Sequence, residues 1–249
     1  MKNNCINISS LKIDKLQDWS IYKNSPLLIA GPCSAESETQ LMETAEQLVK
    51  NNSIDIFRAG IWKARTNPSA FAGIGKPAIK WLVNVKETFN IPITTEVMNE
   101  EQVKIALDNG INILWIGART TVNSFMINEI AQAIKKFGNV NDITIFIKNP
   151  IIPDINLWLG AIKRFNEVGI NKIGAIHRGF SSSLPILYRN DPFWRIPIKL
   201  KCLIPNIPIL CDPSHIAGDK KYLKEIAERA YKLGANGLMV EVHNNPEKA

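Results

Sequence analysis

The chain has 249 residues, of which 45% are hydrophobic and 21% charged, with a formal net charge of +7 at pH 7. That length and apolar content suit one large domain or two small ones with a full core. The absence of a polybasic tract, a secretory leader or an apolar run of membrane-spanning length argues against nucleic acid, export and membrane insertion. Four cysteines in a chain of this size make no disulfide framework and fit a reducing cytoplasm.

Residues 1–25 are a polar lead-in, with one short element expected around Leu11 to Trp19. A regular alternation starts at Pro26 and is expected to run to residue 249 as one barrel domain. Pro26 to Ala30 is apolar and strand-like, and Ser37 with Gln40 forms a capping box ahead of Leu41, Ala45 and Leu48 at helical spacing. Further strands are expected at Ile54–Phe57, Ile93–Thr95, Ile113–Ile116, Ile143–Ile147, Lys172–Ile176, Ile207–Leu210 and Gly237–Val240. Helices are expected between them. Pro77 opens one over Lys76 to Phe89. Gly110, Gly138, Gly169 and Gly234 close those over Asn99–Asn109, Ser124–Phe137, Asn156–Val168 and Lys220–Leu233. An insertion, Phe180 to Asp191, precedes a proline-interrupted helix near Ile198 to Leu203.

Eight strands at intervals of roughly thirty residues, alternating with helices, predict an α/β fold of the (β/α)8 barrel type. An open doubly wound sheet is the competing architecture. Against it, the first turn, Gly31-Pro32-Cys33-Ser34, lacks a dinucleotide fingerprint. Gly73-Ile74-Gly75-Lys76 fails as a phosphate loop because Pro77 follows the lysine.

Past the strand ends lie, in order, Cys33, Arg58, Glu96, Arg119, Lys148, His177-Arg178, His215 and Glu241. In a barrel these occupy the C-terminal mouth, where active sites of the fold sit. Arg58, Lys63, Arg65, Arg119, Lys148 and Arg178 are too many cations for one carboxylate. They predict two anionic groups, phosphates by preference, because guanidinium forks match such oxyanions bidentately. Cys33, His215 and Glu241 form an S, N, O set where strands seven, eight and one meet, which suits one divalent ion such as Zn, Mn, Fe or Co. Each also has an ordinary reading alone: a packed thiol, a satisfied imidazole, a rim carboxylate. His243 shares a strand face with Glu241, but the strand is expected to end near Glu241, which ranks His243 behind the other three. Cys33 and Cys211 should not pair, since one strand separates theirs and about 10 Å is too far for a disulfide.

In combination, several stretches resemble the 3-deoxy-D-arabino-heptulosonate 7-phosphate (DAHP) synthases. They are Gly31-Pro32-Cys33-Ser34, Arg58 with Lys63-Ala64-Arg65-Thr66, Gly117-Ala118-Arg119-Thr120, Lys148-Asn149-Pro150, His177-Arg178-Gly179, Asp212-Pro213-Ser214-His215 and Glu241-Val242-His243. The likeness is to the catalytic barrel of the bacterial type often fused to chorismate mutase. It implies a cytoplasmic, metal-dependent transferase of the shikimate pathway, and a homo-oligomer, dimer or tetramer. That enzyme condenses phosphoenolpyruvate with erythrose 4-phosphate and water, releasing phosphate. Carried over, Arg58, Lys63, Arg119, Lys148 and Arg178 would hold phosphoenolpyruvate, and Arg65 and Thr66 the phosphate of erythrose 4-phosphate. Cys33, His215 and Glu241 would bind the metal, Glu96 would position a water, and Lys63 would donate a proton.

Ala64 departs from the family's proline, which should loosen that loop. The resemblance also implies a fourth metal ligand, an aspartate after strand eight, and a last helix, and the chain ends at Ala249 before both. The expectations are therefore a barrel missing its last helix, an outer face of strand eight (Leu238, Val240) left uncovered, and no strong inhibition by phenylalanine or tyrosine. Two alternatives stand beside this one. One is 3-deoxy-D-manno-octulosonate 8-phosphate synthase, which uses arabinose 5-phosphate and carries Lys-Ala-Asn-Arg where this chain has Lys63-Ala64-Arg65-Thr66. The other is a non-catalytic remnant that binds phosphate ligands.

Overall fold

The structure is a computed structural model and describes residues 6, 8–23, 26–51, 54–63, 69, 71–183 and 186–245. Eight strands pair in parallel in chain order: β1 (Leu27–Gly31), β2 (Ile56–Arg58), β3 (Ile93–Glu96), β4 (Ile113–Ile116), β5 (Thr144–Lys148), β6 (Ile173–His177), β7 (Ile209–Cys211) and β8 (Gly237–Glu241). β8 closes on β1, from Leu27 opposite Gly237 to Gly31 opposite Glu241. Between the strands run α1 (Glu38–Lys50), α2 (Ala78–Phe89), α3 (Glu100–Asp108), α4 (Ala118–Thr121), α5 (Ser124–Phe137), α6 (Ile155–Glu167), α7 (Arg195–Leu203), α8 (Pro213–Ala217) and α9 (Leu223–Lys232). The fold is the expected (β/α)8 barrel.

The strands are short apolar runs because both faces are covered. Every residue of β4, β5 and β6 is buried, as parallel strands between a core and a helix layer require. Alternate residues supply two apolar layers. Ile29, Ile56, Trp115, Phe146, Leu210 and Met239 fill the barrel interior. Phe57, Leu114, Ile145 and Ala175 point outward beneath the helices. Helix starts follow local chemistry: Ser37 Oγ accepts the Gln40 N–H at 3.1 Å, and Gln40 Oε1 accepts the Glu36 N–H at 3.0 Å.

Five features differ from expectation. Residues 8–23 are part of the barrel assembly, because Leu16 and Trp19 enter the interior core from its N-terminal end. The expected short element there is a 3₁₀ turn, Leu16–Asp18. α7 begins at Arg195, with Pro197 in its first turn, where a missing N–H costs no helical bond. The predicted helix over Lys220–Leu233 divides into a 3₁₀ turn, Lys220–Tyr222, and α9. α4 and α8 are too short to show a period in sequence, yet they carry Arg119 and His215. Leu238 and Val240 are half-buried rather than uncovered, and Leu238 packs with Ile216, Ile226 and Ala230 of α8 and α9. Among the described residues no helix is long and apolar enough to cross a membrane.

Candidate active site

A cavity of about 490 Å³ opens at the C-terminal mouth of the barrel. Its wall includes Cys33, Lys63, Glu96, Arg119, Lys148, Arg178, His215 and Glu241. The strand ends thus converge as the alternation in sequence implied. Arg65 and Thr66 lie outside the described residues.

Arg58, at the end of β2, sits just beneath the cavity. Its side chain is 1% exposed, its Nη2 lies 3.5 Å from Glu241 Oε1, and its guanidinium stacks over Trp115 at 5.0 Å from the ring centroid. Burial acts to lower its pKa, but Glu241, Cys33, Asp212 and Glu96 outweigh it, so the pKa is raised. Its Nε and Nη1 are buried and have no hydrogen-bond partner among the described residues. Unmet donors of this kind cost about 1–3 kcal/mol each, which an anionic acceptor would recover.

Lys63 donates to Cys33 Sγ at 3.2 Å. Lys148 is buried and donates to Asp212 Oδ2 at 2.8 Å, and its carbonyl is held by Thr121 Oγ1 at 2.9 Å. Arg178 is fixed from two sides. Asn149 Oδ1 accepts its backbone N–H at 2.7 Å, and Asn190 Oδ1 accepts from its Nη1 at 3.0 Å. Burial first, then the nearby Arg189 and Arg119, lower the Arg178 pKa, although Asp212 and Glu241 oppose them. Gly117 makes room for Glu96, since a Cβ there would collide with Glu96 Oε1. Among the described lining residues, five cations (Lys63, Arg119, Lys148, Arg178, Arg189) face two carboxylates, Glu96 and Glu241. The surplus favours an anionic ligand.

Two of the three predicted metal ligands meet directly: His215 Nε2 lies 3.6 Å from Glu241 Oε1. Ser214 Oγ accepts the Glu241 N–H at 3.0 Å, and Asn190 Nδ2 donates to the His215 carbonyl at 2.6 Å. Burial keeps His215 neutral by lowering its pKa, outweighing Asp212. Burial would raise the pKa of Glu241, but positive charge, on His215 when it is protonated and on Arg58, lowers it to about 2. The carboxylate is therefore ionised, and its Oε1 is buried with no hydrogen-bond partner among the described residues. Cys33 shares the wall, with its thiol turned to Lys63. Among the described residues no group of three or more His, Cys, Asp and Glu is drawn together as a metal cluster. A neutral imidazole, a carboxylate whose buried Oε1 accepts no hydrogen bond among the described residues, and a neighbouring thiol nevertheless form a donor set of the kind that fits a borderline divalent ion.

His177 does not belong to the rim. Ile176 points into the barrel, so His177 points out, into a layer with Trp194 at 5.0 Å and Phe180 at 5.8 Å between ring centroids. Burial drives its pKa down to about 3. His243 turns towards α1, with Nδ1 accepting from the Asn245 N–H at 2.9 Å and Nε2 lying 2.9 Å from Gln40 Nε2. Cys33 and Cys211 are free thiols, as expected. The sequence reading missed Asp212, Arg189 and Asn190 as site residues. Asp212 stood inside a quoted motif next to His215 and was the one within reach.

Comparison with known proteins places this geometry. A phospho-2-dehydro-3-deoxyheptonate aldolase of Thermotoga maritima is 30% identical over 234 residues, covering 94% of this chain and 66% of that protein. The crystal structure of the Thermotoga maritima DAHP synthase matches the barrel with a TM-score of 0.81 at 27% identity, over 96% of this chain and 66% of that one. A 2-dehydro-3-deoxyphosphooctonate aldolase of Rickettsia bellii is 28% identical over 256 residues, covering 96% of this chain and 88% of that protein. This chain spans 66% of the length of its Thermotoga maritima relative. The model of the DAHP synthetase I family matches residues 10–249, and the chain belongs to that family.

Proposed function

We propose that this chain condenses phosphoenolpyruvate with erythrose 4-phosphate and water, giving DAHP and inorganic phosphate, with one divalent metal ion (Mn, Fe, Co or Zn) as cofactor. The observation that carries the reading is the surplus of cations on one cavity, above an Arg58 with unmet donors. Arg58, Arg119, Lys148 and Arg178 bind the phosphate and carboxylate of phosphoenolpyruvate. Arg65 and Thr66 take the phosphate of the aldose. C3 of phosphoenolpyruvate forms a bond to the aldehyde carbon, water adds at C2, and the C2–O bond to phosphate breaks. Lys63 delivers a proton to the former aldehyde oxygen, and Glu96 orients the water. Cys33, His215 and Glu241 would hold the ion, which would supply Lewis-acid polarisation of the aldehyde when bound.

The octulosonate reading uses the same chemistry on arabinose 5-phosphate, and a relative of that name matches over 88% of its length. Arg65-Thr66, in place of Asn-Arg, favours the four-carbon aldose. The test is phosphate release by the purified chain with each aldose phosphate, before and after chelation. Turnover with erythrose 4-phosphate, at least tenfold faster than with arabinose 5-phosphate, lost on chelation and restored by Mn²⁺, is expected. A preference for arabinose 5-phosphate, or no release with either, would overturn the proposal.

A further inference from the structure

Asp212 is fully buried, and the polar contacts of its side chain reach two residues of the cavity wall, Lys148 and His215. Its Oδ1 accepts the backbone N–H of His215 at 3.0 Å and so caps the start of α8. Its Oδ2 accepts from Lys148 Nζ at 2.8 Å and also lies 2.8 Å from His215 Nδ1, a close approach that is too poorly aligned to form a hydrogen bond. The geometry points to Asp212 as a positioning residue that sets the tautomer of His215 and, with the same oxygen, the place of the Lys148 ammonium. The proposed function enters only in naming what His215 and Lys148 then bind.

A carboxylate oxygen 2.8 Å from an imidazole nitrogen is tolerable only if that nitrogen carries the proton. Two lone pairs pressed together away from water would repel. Nδ1 is therefore the protonated nitrogen, and Nε2 keeps its lone pair. Nε2 is the ring atom that faces Glu241 Oε1 and the cavity. A histidine can ligate a metal only through such a free lone pair, and a carboxylate on the other nitrogen raises its basicity. Lys148 spends one of its three N–H groups on Asp212, which stops the ammonium from swinging and leaves the other two for an anionic ligand. One buried oxygen thus indexes a metal ligand against an anion-binding cation, across the gap from β5 to α8.

The decisive variant is Asp212→Asn, which preserves shape and can still cap α8 through Oδ1. Its amide nitrogen then stands where Oδ2 stood and presents N–H groups to Nδ1 and Nζ. His215 should respond by moving its proton to Nε2. The chain has three histidines, so long-range ¹H–¹⁵N correlation spectra of histidine-labelled protein resolve each tautomer, with His215→Gln for assignment. The expected wild-type state is Nδ1–H, and the expected state of Asp212→Asn is Nε2–H. Calorimetry with Mn²⁺ alone should show affinity falling about 10- to 100-fold, and the KM for phosphoenolpyruvate should rise. If Asp212→Asn does not fold, Lys148→Met is informative: it should retain the Nδ1–H tautomer while the KM rises. A wild-type His215 protonated on Nε2, or an Asp212→Asn protein that binds Mn²⁺ as the wild type does, overturns the inference. Tautomer and metal affinity are read without substrate. A chain that shows both as expected but does not turn over erythrose 4-phosphate therefore breaks the proposed function and leaves Asp212 in its role.

Discussion

The two ends of the barrel interior are both buried, yet they are built from opposite chemistry. At the N-terminal end, Leu16 and Trp19 join the interior apolar cluster, with Trp19 and Phe146 rings 5.8 Å apart. At the C-terminal end, Arg58, Lys148, Asp212 and Glu241 are held in contact with one another or with His215. Burying a large apolar side chain contributes roughly 1.5–3 kcal/mol. Burying charge costs free energy that ion pairs recover only with good geometry. One end therefore stabilises the fold, and the other holds charge in place for a ligand at some expense of stability.

Separating the two ends by mutation sharpens that contrast. Trp19→Ala should cost about 3–5 kcal/mol of stability, measured by urea unfolding, while kcat of the folded fraction stays unchanged. A large fall in kcat with intact stability would show that the plug reaches the chemistry. Arg178→Ala should do the reverse, lowering kcat/KM by about 10²–10³-fold with little change in the unfolding midpoint. Equal losses in both measurements would erase the distinction between the ends.

The boundary between fold and site also runs across a single strand end, between His177 and Arg178. His177 titrates near 3 in the folded chain against an ordinary 6.5. Between those values the unfolded chain binds the proton and the folded chain does not, so stability falls as pH drops through this window. By linkage, lowering the pH from 7 to 5 should cost about 2 kcal/mol through this group. His177→Gln should flatten that limb of a stability-against-pH curve; an unchanged slope would contradict the burial of a neutral imidazole. The smallest effect is expected at Gly117. Gly117→Ala should push Glu96 aside and lower kcat about tenfold, near 1.4 kcal/mol, with stability nearly intact because the flexible carboxylate can yield. Full activity would remove Glu96 from the proposed chemistry.

Periodicity and turn chemistry were enough to read the barrel. Eight apolar runs alternating with helices admit few closed arrangements, and glycines such as Gly138 at φ 88° mark helix ends through local sterics alone. The candidate site was legible as a list, because the polar residues at or just past each strand's end collect at one end of the barrel. The direction of each side chain was not. His177 and Arg178 are adjacent and alike in sequence, and only the alternation of a strand packed on both faces sends one outward and the other into the cavity. The lead-in looked like solvent-exposed polar chain because its few buried residues, among them Ile13, Leu16 and Trp19, are scattered, and a partner such as Phe146 for Trp19 lies more than a hundred positions away. Asp212 had no sequence signal beyond its motif. Its role depends on Lys148, 64 positions earlier, arriving within 2.8 Å. Local sequence determines which elements form and where they end, because those energies act over a few residues. Which charges meet depends on closure of the barrel, because only that brings β5, α8 and β8 to one wall.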